Sequence, residues 1–263
     1  MKDPHAPAPH PHSPDKIRLH AFKAPDEPGL CAEFLREHRK VLTDIGVNEI
    51  VATENPWVSD PNCYVIVALH EEHGMVGGIR LQLAAPGVNL PMTNIIEKTF
   101  PQVHQAMDAL LPWGNGEVCG LWAAHRYLGK GVPTLLSKAV TTISVAAGAG
   151  RMVCFVAHYT QKYPAKNGFI VMEDVGDHGF FPSYPIPRIT TIAMVNPDTM
   201  LLEHASSEQR LSIYSLRLRP EQTRMERFGN TELEVEYKMR INANVHDLYA
   251  YRQIAAQRLQ ATG

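Results

Sequence analysis

The sequence predicts a mixed α/β fold built on one central sheet with much antiparallel pairing. Three patterns carry this expectation. Short apolar or alternating runs of strand length are interleaved with helical stripes of period 3.6. Two of those runs, "CYVIVALHE" and "GMVGGIRLQLA", are separated only by "EHG", the spacing of a hairpin. No unit of about 20 to 50 residues recurs, which excludes a solenoid.

Taken in order, "KIRLHAFKA" alternates as a strand does. "GLCAEFLREHRKVLTDIG" then places Leu30, Phe34, Leu35, His38, Val41, Leu42 and Ile45 on one helical face, with Gly46 as the terminating residue. After the hairpin, "MTNIIEKTFPQVHQAMDALL" has helical spacing broken by Pro101, so two short helices are expected. "GEVCGLWAAH" reads as a strand. "VPTLLSKAVTTISVAAGAG" is a helix with Pro133 in its first turn, where the missing N–H is harmless. "RMVCFVAH" is a continuous apolar run, as in a strand covered on both faces. One or two helical turns in "TQKYPAKNGF" and the strands "IVMEDVG" and "RITTIAMVNP" complete this part. In the last sixty or so residues, "LSIYSLRLR" and "TELEVEYKMRI" alternate like a hairpin and "VHDLYAYRQIAAQRLQ" has the pattern of a terminal helix. The expected organisation is a disordered tail over 1–14, one domain over 15–204, and an extension over 205–263 that packs on the core or forms a homodimer contact.

At 263 residues and 44% hydrophobic, the chain is long enough to bury a large core. Its 25 basic and 27 acidic residues leave a net charge of −2, so no global field favours nucleic acid or an anionic membrane. Cys31, Cys63, Cys119 and Cys154 lie far apart without a CxxC pair, and are expected as buried reduced thiols; no metal site is expected. The leader "MKDPHAPAPHPHSP" has too little apolar area to pack, and its His5, His10 and His12 are read as part of a flexible segment. Neither a signal-like apolar region nor a run of about 18 apolar residues is present, so a cytoplasmic protein without a membrane span is expected.

"HRYLGKGVP" gathers His125, Arg126 and Lys130 around Gly129 and Gly131 just before the long helix. Its spacing does not match G-x-x-x-x-G-K-[S/T], nor the G-x-G-x-x-G of dinucleotide folds, since Thr134 stands where the third glycine belongs. What remains is Arg126-x-x-Gly129-x-Gly131 between strand and helix, where small residues let backbone N–H groups approach an anion at a helix start. The same glycines could also serve only as a tight turn.

This arrangement resembles the acyl-CoA-binding loop of the GNAT acyltransferase superfamily. The resemblance spans about residues 16 to 200 and includes the strand "RMVCFVA" after the helix and "YPAKNGF" ending in Gly168 and Phe169. It implies a GNAT-like, mostly antiparallel twisted sheet flanked by helices, here with a C-terminal extension of hairpin plus helix. Over about residues 30 to 125, Gly77, Arg80, Leu81, Phe100, Pro101 and Glu117 are similar to a pattern of the acyl-homoserine-lactone synthases and N-acyl amino acid synthases, as is "ENPWVSDPNCYVIVA". The acidic pair of the lactone synthases is reduced here to Glu54 and Asp60. The Ser-Arg-Phe that follows their strand glutamate is also missing, so an amino acid or polyamine acceptor is expected in place of S-adenosylmethionine.

The resemblance implies a phosphopantetheine thioester donor, acyl carrier protein or acyl-CoA, with no tightly bound cofactor. Leu121, Trp122, Ala123 and Ala124 would offer backbone donors to the thioester oxygen, and Arg126, Gly129, Lys130, Gly131 and Val132 would hold the donor phosphate. Glu117 is the expected base for the amine, with a solvent-exposed strand-end glutamate as the other reading. Tyr163 is the expected acid for the thiolate, with His158 or Tyr159 as substitutes; Arg80 would orient a carboxylate or pair within the sheet. Ile95, Ile96, Phe100 and Met107 would line an acyl tunnel or belong to the core, and Trp122 would cover the acyl entrance or fill the core. Three functions stay open: fatty N-acyl transfer to a small amine, acetyl-CoA-dependent N-acetylation of a small amine or protein, and a catalytically inactive binding protein on the same fold.

Overall fold

The computed structural model describes residues 14–47, 55–85 and 88–241. The leader up to residue 13, Glu54 and the helix expected in "VHDLYAYRQIAAQRLQ" lie outside the described residues. Strand β1 (Asp15–Lys23) buries Ile17 and Leu19 and turns Lys16 and Arg18 outward, as its alternation requires. Helix α1 (Pro28–Asp44) ends where the N–H groups of Gly46 and Val47 donate to the carbonyls of Thr43 and Leu42, the pairing of a Schellman end. Strands β2 (Cys63–His70) and β3 (Gly74–Leu83) form the expected hairpin. Residues 63–68 of β2 are buried on both faces, because α1 packs on one and α4 (Val132–Ala147) on the other.

Two short helices, α2 (Pro91–Ile96) and α3 (Val103–Asp108), flank Pro101 as expected. Strands β4 (Asn115–Ala123) and β5 (Arg151–Ala157) follow, separated by α4, then the one-turn helix α5 (Lys162–Lys166). The strand expected in "IVMEDVG" reduces to β6 (Ile170–Val171); β7 (Phe180–Phe181), not foreseen, and β8 (Thr191–Asn196) come next. One sheet contains all of them in the order β6, β8, β5, β4, β3, β2, β1, then two later strands, with β7 also paired to β8.

Those later strands correct the reading of the carboxyl-terminal region. "LSIYSLRLR" belongs to helix α6 (Ser207–Leu218), and the hairpin is β9 (Glu221–Phe228) with β10 (Thr231–Lys238). Its apolar residues satisfy both periods, and tertiary packing selects the helix. Ser206 caps it by accepting the Gln209 N–H at 3.2 Å, Ile213 and Leu216 are buried, and the Arg217 guanidinium donates to the carbonyls of Thr141 (2.8 Å) and Thr142 (3.2 Å) on α4. Strand β10 lies parallel to β1, in a register that sets Lys16 opposite Glu234 (3.1 Å) and Arg18 opposite Glu236 (2.7 Å).

Candidate active site

Strands β4 and β5 run parallel, but their ladder covers only Asn115–Val118 against Arg151–Cys154; beyond it the two strands have no mutual pairs. On its other side β4 carries a bulge, where the register against β3 shifts between Gly78 and Arg80 and Gly120 adopts φ 64°. Fork and bulge together open a cavity of about 410 Å³ that reaches both faces of the sheet. Ala124, expected among the oxyanion donors, is excluded from that role because its N–H donates to the Val76 carbonyl at 2.8 Å. Leu121 lines the cavity, whereas Trp122 is 4% exposed within the α1 cluster and Ala123 is buried against the α4 face.

Cross-strand pairing sets Arg80 opposite Cys119 and Gln82 opposite Glu117 on the α1 face. Glu117 is 2% exposed, so it is not a solvent-facing strand end; its Oε2 accepts the Met92 N–H at 2.7 Å. Burial pushes its carboxyl up to about 7, against the lowering effects of the Met92 N–H and the Arg80 charge. The Arg80 guanidinium stacks on Trp57, 5.0 Å from the ring centroid, and makes no ion pair among the described residues. Asp60 is engaged with Gln82 Nε2 (2.7 Å) and the Asn62 N–H (2.8 Å). All four cysteines are free thiols; Cys119 and Cys154 line the cavity, and burial pushes both thiols up, Cys119 to about 12.

The donor side is the turn before α4. Gly129 and Gly131 have φ of 81° and 90°, the left-handed region that glycine enters without strain, and Gly131 caps the helix. The first intrahelical bond runs from Leu135 N–H to Gly131 O, so the amides of the first turn precede it and remain directed out of the helix start. Arg126 is exposed, Val132 is buried in the core, and Lys130 Nζ pairs with Asp15 at 3.1 Å while lying over the Tyr127 ring.

Tyr163 does not line the cavity: it carries the Lys162 ammonium over its ring, and it is the neighbouring Pro164 that reaches the cavity wall. Of its two substitutes, Tyr159 lines the cavity and His158 does not. Among the expected tunnel residues Ile95 lines the cavity, whereas Ile96, Phe100 and Met107 pack in a cluster between α2, α3 and the sheet. No group of three or more His, Cys, Asp and Glu among the described residues could hold a metal ion, and no described helix is long and apolar enough to cross a membrane.

Two cavity residues escaped the sequence reading. His38, on the apolar stripe of α1, stacks on Trp122 (centroids 6.4 Å) and is pushed down to about 4 by burial and by the Arg80 charge. Tyr184 packs its ring against Phe155 (5.4 Å), and burial together with the Glu117 charge pushes its hydroxyl up. The helical period showed that His38 faces inward but not what it faces. Tyr184 sits in a proline-rich loop that gives no periodic signal.

No family model matches the sequence, and no curated protein matches it. Among solved structures the chain is similar to FeeM, an N-acyl amino acid synthase from uncultured soil microbes, with 14% identity and a TM-score of 0.53 over 75% of this chain and 99% of that one. BjaI, a CoA-dependent acyl-homoserine lactone synthase, aligns with 13% identity and a TM-score of 0.48 over 91% of this chain and 99% of that one. The likeness to FeeM shows that the chain has the GNAT fold.

Proposed function

We propose that the protein is an N-acyltransferase that moves a fatty acyl group from a phosphopantetheine thioester to the amine of an amino acid. The observation that carries this reading is the pair Arg80 and Glu117 in one cavity: a guanidinium that makes no ion pair among the described residues and a buried carboxyl held near neutrality. A general base is most effective when its pKa lies near the working pH. A planar guanidinium takes a carboxylate through two parallel hydrogen bonds. An acceptor with both an ammonium and a carboxylate fits that pair, and the name of the FeeM enzyme agrees with it. A polyamine would leave Arg80 facing a like charge.

In this reading the donor phosphate rests on the turn of Arg126, Gly129 and Gly131, and the pantetheine arm enters the β4/β5 fork. Glu117 takes a proton from the acceptor ammonium. The freed amine attacks the thioester carbonyl, whose oxygen is held by the backbone N–H groups of Leu121 and Ala123 on the open side of β4. The C–S bond then breaks, the thiolate takes a proton from Tyr159, which replaces Tyr163 because it lines the cavity, and the second proton of the attacking nitrogen passes to the Tyr159 phenolate, leaving neutral amide and thiol. Acyl carrier protein and acyl-CoA present the same arm to this site, and both belong to the cytoplasm, where we place the enzyme.

Expression in a bacterium followed by mass spectrometry of lipid extracts tests the proposal. A series of N-acyl amino acids differing by two methylenes supports it. Consumption of acetyl-CoA with an amine panel, without lipid products, would establish the acetyltransferase reading instead; no product in either assay would leave only the binding reading.

A further inference from the structure

We infer that the β9/β10 hairpin is a working part of the donor site, with Phe228 as a positioning residue for the glycine turn. The inference rests on the reading of that turn as the phosphate grip. Phe228, the last residue of β9, lies directly on Gly131: a Cβ at this position would overlap the Phe228 ring. Gly129, by contrast, faces open space. Gly131 is therefore fixed both by its left-handed backbone and by an aromatic ring seated on its Cα.

The hairpin is in turn fastened to the helix that the turn opens. Lys138 of α4, with 5% of its side chain exposed, pairs with Glu226 Oε1 at 2.7 Å, and the Tyr237 hydroxyl donates to the same oxygen at 2.5 Å. Lys138 Nζ also lies 5.6 Å from the Tyr237 ring centroid and 3.5 Å from Ser212 Oγ of α6. On the opposite side β10 is zipped to β1, and β1 begins with Asp15, the residue that holds Lys130. Both halves of the Gly129-Lys130-Gly131 turn are thus clamped: Lys130 by the start of β1 and Gly131 by the end of β9. A turn held in this way presents its amides to a phosphate without first losing conformational freedom, the general benefit of preorganisation. The extension then sets donor affinity from outside the acyl-transfer cavity.

The test compares wild type, Phe228→Ala and Phe228→Tyr by calorimetric titration with CoA and, separately, 4′-phosphopantetheine. It adds hydrogen exchange of the amides of residues 129–132, 134 and 135 in the free proteins and acyl-transfer kinetics. The expected result for Phe228→Ala is a folded protein with donor Kd and KM raised about tenfold and turn amides exchanging about tenfold faster. Its kcat at saturating donor stays within about twofold, and Phe228→Tyr, which keeps the ring, behaves as wild type. Unchanged affinity and exchange in a folded Phe228→Ala protein overturn the inference, as does a fall confined to kcat. If the wild type binds neither CoA nor phosphopantetheine, the donor reading of the turn fails and the inference falls with it; binding by the wild type with an indifferent Phe228→Ala refutes the inference alone.

Discussion

The main-chain N–H of Met92 donates to Glu117 Oε2 at 2.7 Å, reaching forward 25 residues from the start of α2 to the sheet, where the carboxyl is 2% exposed. Burial raises its proton affinity, and outweighs the opposite effect of that hydrogen bond. With Glu117 as base, kcat/KM should increase tenfold per pH unit up to about pH 7 and then level off. Glu117→Gln should lower turnover by about 100- to 10,000-fold and abolish that profile.

The same substitution separates catalysis from stability. A carboxyl raised from 4.5 to about 7 keeps more protons in the folded than in the unfolded chain between those values, so folding weakens as pH rises through them. Relative to Glu117→Gln, the wild type should lose about 3 kcal/mol between pH 4.5 and 7, and denaturant titrations along that range check it. A residue serving only structure would not combine lower activity with higher stability at neutral pH when neutralised.

Arg80 is expected to act on the acceptor and not on the donor. Arg80→Ala should raise the acceptor KM by about 30-fold or more, the equivalent of about 2 kcal/mol, for amino acids. The donor KM should remain unchanged, and the decarboxylated amine should be used equally by variant and wild type.

His38 predicts a contribution to acid lability. Its folded pKa of about 4 lies below its unfolded value of 6.5, so stability is full above 6.5 and is lost as pH falls towards 4. His38→Phe, which keeps the stack on Trp122, should lose less stability than the wild type over that window when melted at successive pH values.

The two glycines of the turn should differ. Gly129→Ala meets only the backbone penalty of a positive φ, about 1 kcal/mol. Gly131→Ala adds overlap with Phe228 and should cost about 1 to 3 kcal/mol more, read from chemical denaturation.

Much of the fold was legible because it is local: the alternation of β1, the stripes of α1 and α4, the break at Pro101 and the helix end at Gly46 are all set within a few residues. The arrangement of the site is less so. Glu117 could be picked out as a lone carboxylate in an apolar strand, but its burial and its bond from the Met92 N–H of a separate helix arise from tertiary packing. "LSIYSLRLR" fits two periods, and its contact with α4 through Arg217 decides between them. The seat of Phe228 on Gly131 depends on β10 joining β1 from more than 200 residues away, as the Arg18 to Glu236 pair shows.

The central claim is tested most directly by incubating the purified protein with long-chain acyl-CoA or acyl carrier protein and the common amino acids, following free thiol and N-acyl product together. Equal amounts of thiol and amide are expected from the wild type, and both are expected to form at least about 100-fold more slowly with Glu117→Gln at pH 7. Thiol release without amide, or an undiminished Glu117→Gln enzyme, would contradict it.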